Sequence, residues 1–275
     1  MSEMPTLDRP WLMLGDCLER MREMPDGSVD LTVTSPPYDN LRRYHGYSFD
    51  FEGVARELYR LTKQGGVVVW VVGDATVNGS ETGTSFRQAL HFKNVGFNLH
   101  DTMIYAKENY VPLTHNRYEQ QFEYMFVLSK GKPSSFNGLR VARATKRTDV
   151  GKFYECSGGP RLANTAGTGS TDKLRPNIWT YPVGGSTLSH PAVFPEQLAA
   201  DHIASWSNPG DFVFDPFLGS GTTGKMALLA GRKFIGIEIS DQYLDIARRR
   251  IEQAIITANQ PAPFGGLFDA SEAAE

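Results

Sequence analysis

The chain has 275 residues, 40% of them hydrophobic and 21% charged, enough to bury the core of one α/β domain. Its formal net charge of -3 excludes a protein that meets polyanions over its whole surface, so any nucleic-acid contact has to be local. Cys17 and Cys156 stand far apart and outside any C-x-x-C spacing, so neither a disulfide framework nor a metal site is expected, and a reducing, cytoplasmic setting fits. No apolar run approaches the roughly 20 residues that cross a bilayer. The opening MSEMPTLDRPW lacks a basic stretch followed by an apolar one, so a soluble, unexported protein without membrane contact is expected.

In chain order, short apolar runs predict buried parallel strands at Leu31–Thr34, Val67–Val72, Met103–Tyr105, Tyr124–Leu128, Phe212–Phe214 and Phe234–Ile237. Amphipathic stretches predict helices at Phe49–Thr62, closed by Gly65-Gly66, and at Gly224–Ala230 and Gln242–Thr257. Strands alternating with helices imply right-handed βαβ crossovers, hence an α/β fold with a doubly wound, mostly parallel sheet. From Gly131 to about Ser189 no sustained period survives and Gly, Ser, Thr, Asn and Arg dominate. Between Lys130 and Arg175, ten basic residues face three acidic ones, a local positive patch that Phe136, Phe153 and Tyr154 interleave with aromatics. The same segment also reads as a solvated loop with incidental charges. Residues 1–130 and 187–258 therefore form the expected core domain, 131–186 an insertion, and 259–275, rich in Pro, Gly and Ala, a flexible tail.

Two constellations carry chemistry. Val213 to Gly224, reading VFDPFLGSGTTG, is an apolar strand running into a glycine turn and then a helix. Gly219 and Gly221 remove the Cβ atoms that block close backbone approach, and the helix start offers N–H groups and a positive dipole end. Glu238 ends the next strand about 20 residues on, where a carboxylate accepts hydrogen bonds from ribose hydroxyls. A dinucleotide and S-adenosylmethionine both satisfy these features. The second constellation, Thr34-Ser35-Pro36-Pro37-Tyr38, follows a strand directly, at the expected carboxyl edge of the sheet. Its prolines stiffen the loop, and Pro37 has no N–H, so the loop carbonyls and the Ser35 hydroxyl are left as acceptors beside the flat face of Tyr38. An aromatic amino group fits that geometry, and methyl transfer to it needs no prior proton abstraction.

Ser35-Pro36-Pro37-Tyr38 together with Asp215-Pro216-Phe217-Leu218-Gly219-Ser220-Gly221-Thr222 resembles the amino-methylating DNA methyltransferases, adenine-N6 and cytosine-N4, with motifs S/D/N-P-P-Y/F and F-x-G-x-G. The order, catalytic loop first and cofactor turn late, resembles the circularly permuted beta group over nearly the whole chain. The resemblance implies a Rossmann-like, S-adenosyl-L-methionine-dependent methyltransferase acting on a flipped base in duplex DNA, of the kind found in restriction–modification. It implies Ser35, Pro36, Pro37 and Tyr38 as catalytic residues. The cofactor residues it implies are Asp16, Cys17, Ser35, His190, Pro191, Phe194, Asp215, Pro216, Phe217, Gly219, Ser220, Gly221, Thr222, Glu238 and Ile239. Asp16 corresponds to the aspartate that meets the cofactor's adenine, and His190, Pro191 and Phe194 to the segment closing over its methionine end. The insertion sits where the family keeps target recognition, which makes Arg140, Arg143, Lys146, Arg147 and Lys152, with Arg42 and Arg43 after the catalytic loop, the DNA-binding candidates. Dimers occur in the group, so a homodimer is a further expectation.

Ser35 does not decide between adenine and cytosine. A methyltransferase of RNA or of protein glutamine shares the acceptor loop, and a nucleic-acid-binding relative without catalysis is a different class. The latter leaves the loop, Asp16, Glu238 and the glycines without a reason to coexist, and a dehydrogenase leaves Ser35–Tyr38 unexplained.

Overall fold

The computed structural model describes residues 5–37, 50–110, 117–143, 171–183 and 195–259. Its elements in chain order are β1 (Trp11–Leu14), α1 (Cys17–Arg22), β2 (Val29–Thr34), α2 (Phe51–Leu61), β3 (Thr62–Val72), β4 (Thr76–Val77), β5 (Ser80–Glu81), α3 (Thr84–Val95) and β6 (Asn98–Lys107). They continue with β7 (Phe122–Ser129), β8 (Arg140–Ala142), β9 (Asp172–Leu174), β10 (Ile178–Tyr181), α4 (Glu196–Trp206), β11 (Phe212–Asp215), α5 (Thr222–Leu229), β12 (Lys233–Glu238) and α6 (Asp241–Asn259).

Eight strands form one sheet in the order β1-β12-β11-β2-β3-β7-β6-β10. Within it β7 runs against its neighbours β3 and β6, and every other pairing is parallel. The alternation of side chains along a strand explains how one apolar run serves two cores. Val67, Val69 and Val71 join Leu198, Ala227 and Leu244 of α4, α5 and α6 on one face. Val68, Trp70 and Val72 join Met21, Leu58 and Phe92 of α1, α2 and α3 on the other.

Each predicted strand is present, with longer ends, but Tyr124–Leu128, expected to be parallel, is the antiparallel β7, because an apolar run buried on both faces carries no signal of its direction. The predicted helix at Phe49–Thr62 is α2, capped where the Asp50 carboxylate accepts from the Gly53 N–H at 2.9 Å. It is not closed by Gly65-Gly66: it ends at Leu61, and the chain passes straight into β3. Gly65, at φ +82°, instead serves an irregularity in β3, where the register against β2 shifts between Val29 and Leu31. The segment set apart by composition is also less separate than its sequence suggests. Its β10 pairs with β6 as an edge strand of the main sheet, and Trp179 and Tyr181 are buried in the core. A four-residue strand, Ile-Trp-Thr-Tyr, is too short to show a period among polar neighbours.

The fold packs one histidine without charge. His202 of α4 is wholly buried, its ring against Trp179 with centroids 4.6 Å apart and its Nε2 3.2 Å from the Met125 sulfur. Burial pushes its pKa down from 6.5 to about 3; Arg175 adds to the shift and Asp201 opposes it. A depressed histidine contributes stability that is complete above 6.5 and is lost as pH falls through that value toward 3. Chemical denaturation across this range should show unfolding free energy falling by up to about 1.4 kcal/mol per pH unit from this group. His202→Leu should flatten the dependence, and an unchanged slope in that variant would refute the assignment.

Between β11 and β2 the winding changes direction. The chain leaves β11 through α5 to β12 on one side, and leaves β2 through α2 to β3 on the other. The crevice outside the carboxyl ends of these two strands is where such sheets bind ligands.

Candidate active site

Both constellations converge on that crevice. Ser35, Pro36 and Pro37 continue directly from β2, with Pro36 buried and the other two half-buried. Asp215 ends β11. The Thr34 hydroxyl donates to the Asp215 carboxylate at 2.7 Å, and the Thr223 hydroxyl of α5 donates to the Val33 carbonyl at 3.1 Å. These two hydroxyls tie the acceptor loop to the glycine turn. Both stand within the two stretches singled out from sequence but were given no role there, and the signal available was a hydroxyl residue at a strand's last position and another one step inside a helix.

The turn itself is shaped by short-range bonds. Asp215 Oδ1 accepts from the Phe217 N–H at 3.0 Å, and the Gly221 N–H donates to the Leu218 carbonyl at 2.9 Å. Gly219 and Gly221 stand at φ +52° and +82°, a region that a side-chain-bearing residue enters at a cost. A Cβ on Gly221 would also stand 3.0 Å from the Cβ of Ala247. Pro216, Ser220 and Thr222 are buried beneath the turn, and Phe217 packs its edge toward Trp70.

Glu238 ends β12, next in the sheet to β11. Its two carboxylate oxygens accept from the Gly219 N–H at 2.7 Å and the Ser240 N–H at 2.9 Å. It thus holds the turn, a task the spacing did not reveal. The Gly15 N–H donates to the Glu238 carbonyl at 2.9 Å, bringing Asp16 alongside. Asp16 caps α1, accepting from the N–H groups of Leu18 and Glu19 at 2.9 and 3.1 Å. The Cys17 side chain points into the core with Met21, while Ile239 is 47% exposed beside Glu238.

Burial dominates the electrostatics. Asp215 is raised from 3.8 to about 6, first by burial and further by Glu238, while bonds from Thr34, Phe217 and Thr223 hold it down. Glu238 is raised by burial, against the pull of backbone N–H groups. A carboxylate ionised near neutral pH in a dry turn suits a cationic group.

Residues 29–249 match the family model N6_N4_Mtase, described as DNA methylase. The chain belongs to this DNA methylase family. It is an S-adenosyl-L-methionine-dependent methyltransferase for the exocyclic amino nitrogen of adenine or cytosine in DNA. Among its relatives, the orphan methyltransferase M.BamHII of Bacillus amyloliquefaciens is 56% identical over 242 residues, covering 84% of this chain and 91% of the relative. The S-adenosyl-L-methionine complex of TTHA0409 from Thermus thermophilus has a TM-score of 0.63 at 26% identity, over 90% of this chain and 94% of that one. The cytosine-N4-specific PvuII DNA methyltransferase, at 23% identity and TM-score 0.67 over 90% of both chains, shares the fold.

The DNA methylase brings Asp16, Ser35, Asp215, Gly219, Gly221 and Glu238 to the carboxyl ends of the adjacent strands β1, β12, β11 and β2. Tyr38, Arg42, Arg43, Lys146, Arg147, Lys152, His190, Pro191 and Phe194 lie outside the described residues. Two DNA-binding candidates are described and both engage Asp172. Arg140 bonds its carboxylate at 2.7 and 2.9 Å, and Arg143 bonds its carbonyl at 2.8 Å, beside the antiparallel pair β8–β9. Asp30, at the other end of β2, pairs with Lys63 at 2.7 Å and accepts from the Phe212 N–H at 2.9 Å, which registers β11 against β2.

Proposed function

We propose that the crevice between β11 and β2 methylates a base flipped out of duplex DNA, with Ser35, Pro36, Pro37 and Tyr38 as the catalytic loop. The observation that carries this reading is the Thr34–Asp215 hydrogen bond, which joins the acceptor loop to the cofactor turn across the switch point. The turn fits S-adenosyl-L-methionine as a cradle: glycines in left-handed backbone at 219 and 221 leave it without side chains there, and the buried Asp215 carboxylate beside it is an anion suited to the cofactor's ammonium group. Asp215, Pro216, Phe217, Gly219, Ser220, Gly221 and Thr222 form the methionine side of that cradle, with His190, Pro191 and Phe194 closing it. Glu238 takes the ribose hydroxyls, and Asp16, Cys17 and Ile239 border the adenine. When bound, the cofactor supplies an electrophilic methyl group on a sulfonium.

The loop's task is orientation. Acceptors at Ser35 and the proline carbonyls take hydrogen bonds from the exocyclic amino group, which turns its lone pair toward the methyl carbon. The nitrogen gains a carbon and loses one proton, which leaves to solvent after transfer. Adenine and cytosine present the same amino group beside a ring nitrogen, so one loop serves either. Tyr38 stacks on the flipped ring. The basic part of 131–186, including Arg140 and Arg143, together with Arg42 and Arg43, anchors phosphates and carries target recognition. Among the described residues no helix is long and apolar enough to cross a membrane. The reading places the enzyme in the cytoplasm, with its DNA substrate, and includes a homodimer.

The test is incubation of purified protein with S-adenosyl-L-methionine and unmethylated genomic DNA, followed by digestion to nucleosides and mass spectrometry. A rise in N6-methyldeoxyadenosine or N4-methyldeoxycytidine is expected and names the base. No rise in either, with cofactor demonstrably bound, would overturn the reading in favour of RNA or protein glutamine.

A further inference from the structure

The glycine turn is backed by one face of α6. Ala247 stands against Gly221, whose added Cβ would lie 3.0 Å from the alanine Cβ, and Ile251 stands against Gly224, with 2.7 Å to its Cδ1. Arg250 lies between them at the i+3 position from Ala247, on the same helix face. Its guanidinium donates to the Ser220 carbonyl at 2.6 Å, to the Ser220 hydroxyl at 2.7 Å and to the Thr222 hydroxyl at 3.4 Å. The other terminal nitrogen donates to Glu196 at 2.7 Å. Glu196 opens α4 and is also held by Lys225 of α5 through both carboxylate oxygens at 2.8 Å.

We infer that Arg250 is a positioning residue for the cofactor turn: one planar cation holds the turn's backbone at Ser220 and fastens it to the start of α4. The guanidinium is suited to this because its donors are fixed in a fork, so it can satisfy a carbonyl, a hydroxyl and a carboxylate in one plane. Its side chain is 15% exposed, which strengthens bonds that solvent would otherwise weaken. Glu196 is held below the usual carboxylate range by Lys225 and Arg250, against the opposing effect of its own burial, so the ion pair persists at neutral pH. Nothing in this arrangement touches the reacting atoms. Its loss should therefore appear in cofactor affinity and not in the rate of transfer once cofactor is bound.

This inference rests on the turn being the cofactor site, and the experiment separates the two. Cofactor binding by calorimetry, and kcat and KM for S-adenosyl-L-methionine, are measured on Arg250→Met, Arg250→Lys and Glu196→Gln, with Asp215→Asn alongside and melting temperatures recorded for each. Arg250→Met should bind cofactor about ten-fold more weakly, with kcat at saturating cofactor within about three-fold of the parent. Arg250→Lys should recover a large part of the affinity, since an ammonium still reaches the Ser220 carbonyl, which a purely volumetric role would not predict. Glu196→Gln should give a smaller loss, and combined with Arg250→Met should add little. If Asp215→Asn weakens cofactor and Arg250→Met does not, or if Arg250→Lys is no better than Arg250→Met, the positioning role is wrong while the turn stands. If neither Asp215→Asn nor Arg250→Met changes cofactor affinity, the turn itself is misassigned.

Discussion

Asp215→Asn is expected to weaken S-adenosyl-L-methionine binding by about 10- to 100-fold, the range for losing a charge-assisted hydrogen bond in a dry site. The substitution keeps an acceptor for the Thr34 hydroxyl and the Phe217 N–H, so the turn retains its form. What disappears is the negative charge proposed to meet the cofactor's ammonium group. The pH dependence gives a second reading. With Asp215 raised to about 6, parental affinity should decline as pH falls through 6, whereas the asparagine variant should show no such limb. Stability moves the other way. A carboxyl raised above its unfolded value contributes stability that is complete below 3.8 and lost as pH rises through about 6. The ionised form therefore costs stability at pH 7, and Asp215→Asn should melt at least as high as the parent there. Unchanged cofactor affinity in this variant would remove Asp215 from the site.

Tyr38→Ala is expected to abolish most methylation while leaving cofactor affinity within about two-fold. The magnitude follows from stacking: a base on an aromatic ring is worth about 1 to 3 kcal/mol, or roughly 5- to 150-fold. On the proposed arrangement, in which loop acceptors also hold the flipped base, the loss should appear in transfer at saturating DNA as well as in DNA affinity. Tyr38→Phe keeps the ring and should retain most of the rate. Single-turnover transfer with cofactor and duplex in excess is the measurement. Full activity in the alanine variant would show that the ring is not the stacking surface.

The parts of this protein legible from its sequence are those where one local pattern has one physical meaning. Short unbroken apolar runs rich in β-branched residues, such as Val67–Val72, favour strands buried on both faces, and those of the sheet's middle are found where expected. The glycine turn is visible because close approach and left-handed backbone both demand glycine at 219 and 221. The acceptor loop is visible because two consecutive prolines remove donors wherever they stand. β1, β10, α1, α3 and α4 escaped, since they are short or take their burial from neighbours distant in sequence, as His202 does from Trp179 and Met125.

What the sequence alone determined is the inventory of the site: a loop of acceptors, a glycine turn, and carboxylates at strand ends, with the order that places the turn last. Only the tertiary structure decided how the inventory is assembled. Thr34 reaches Asp215 across 181 positions of chain, Glu238 divides its oxygens between Gly219 and Ser240, and Arg250 braces the turn from a helix that carries no recognisable motif. Gly65-Gly66 shows the same division, being a helix stop by composition and a strand irregularity by the pairing of β3 with β2. The physical reason is range. Backbone preferences and hydropathy act over a few residues and so are written locally, whereas a hydrogen bond between side chains needs donor and acceptor within about 3 Å, a distance that only the assembled sheet creates.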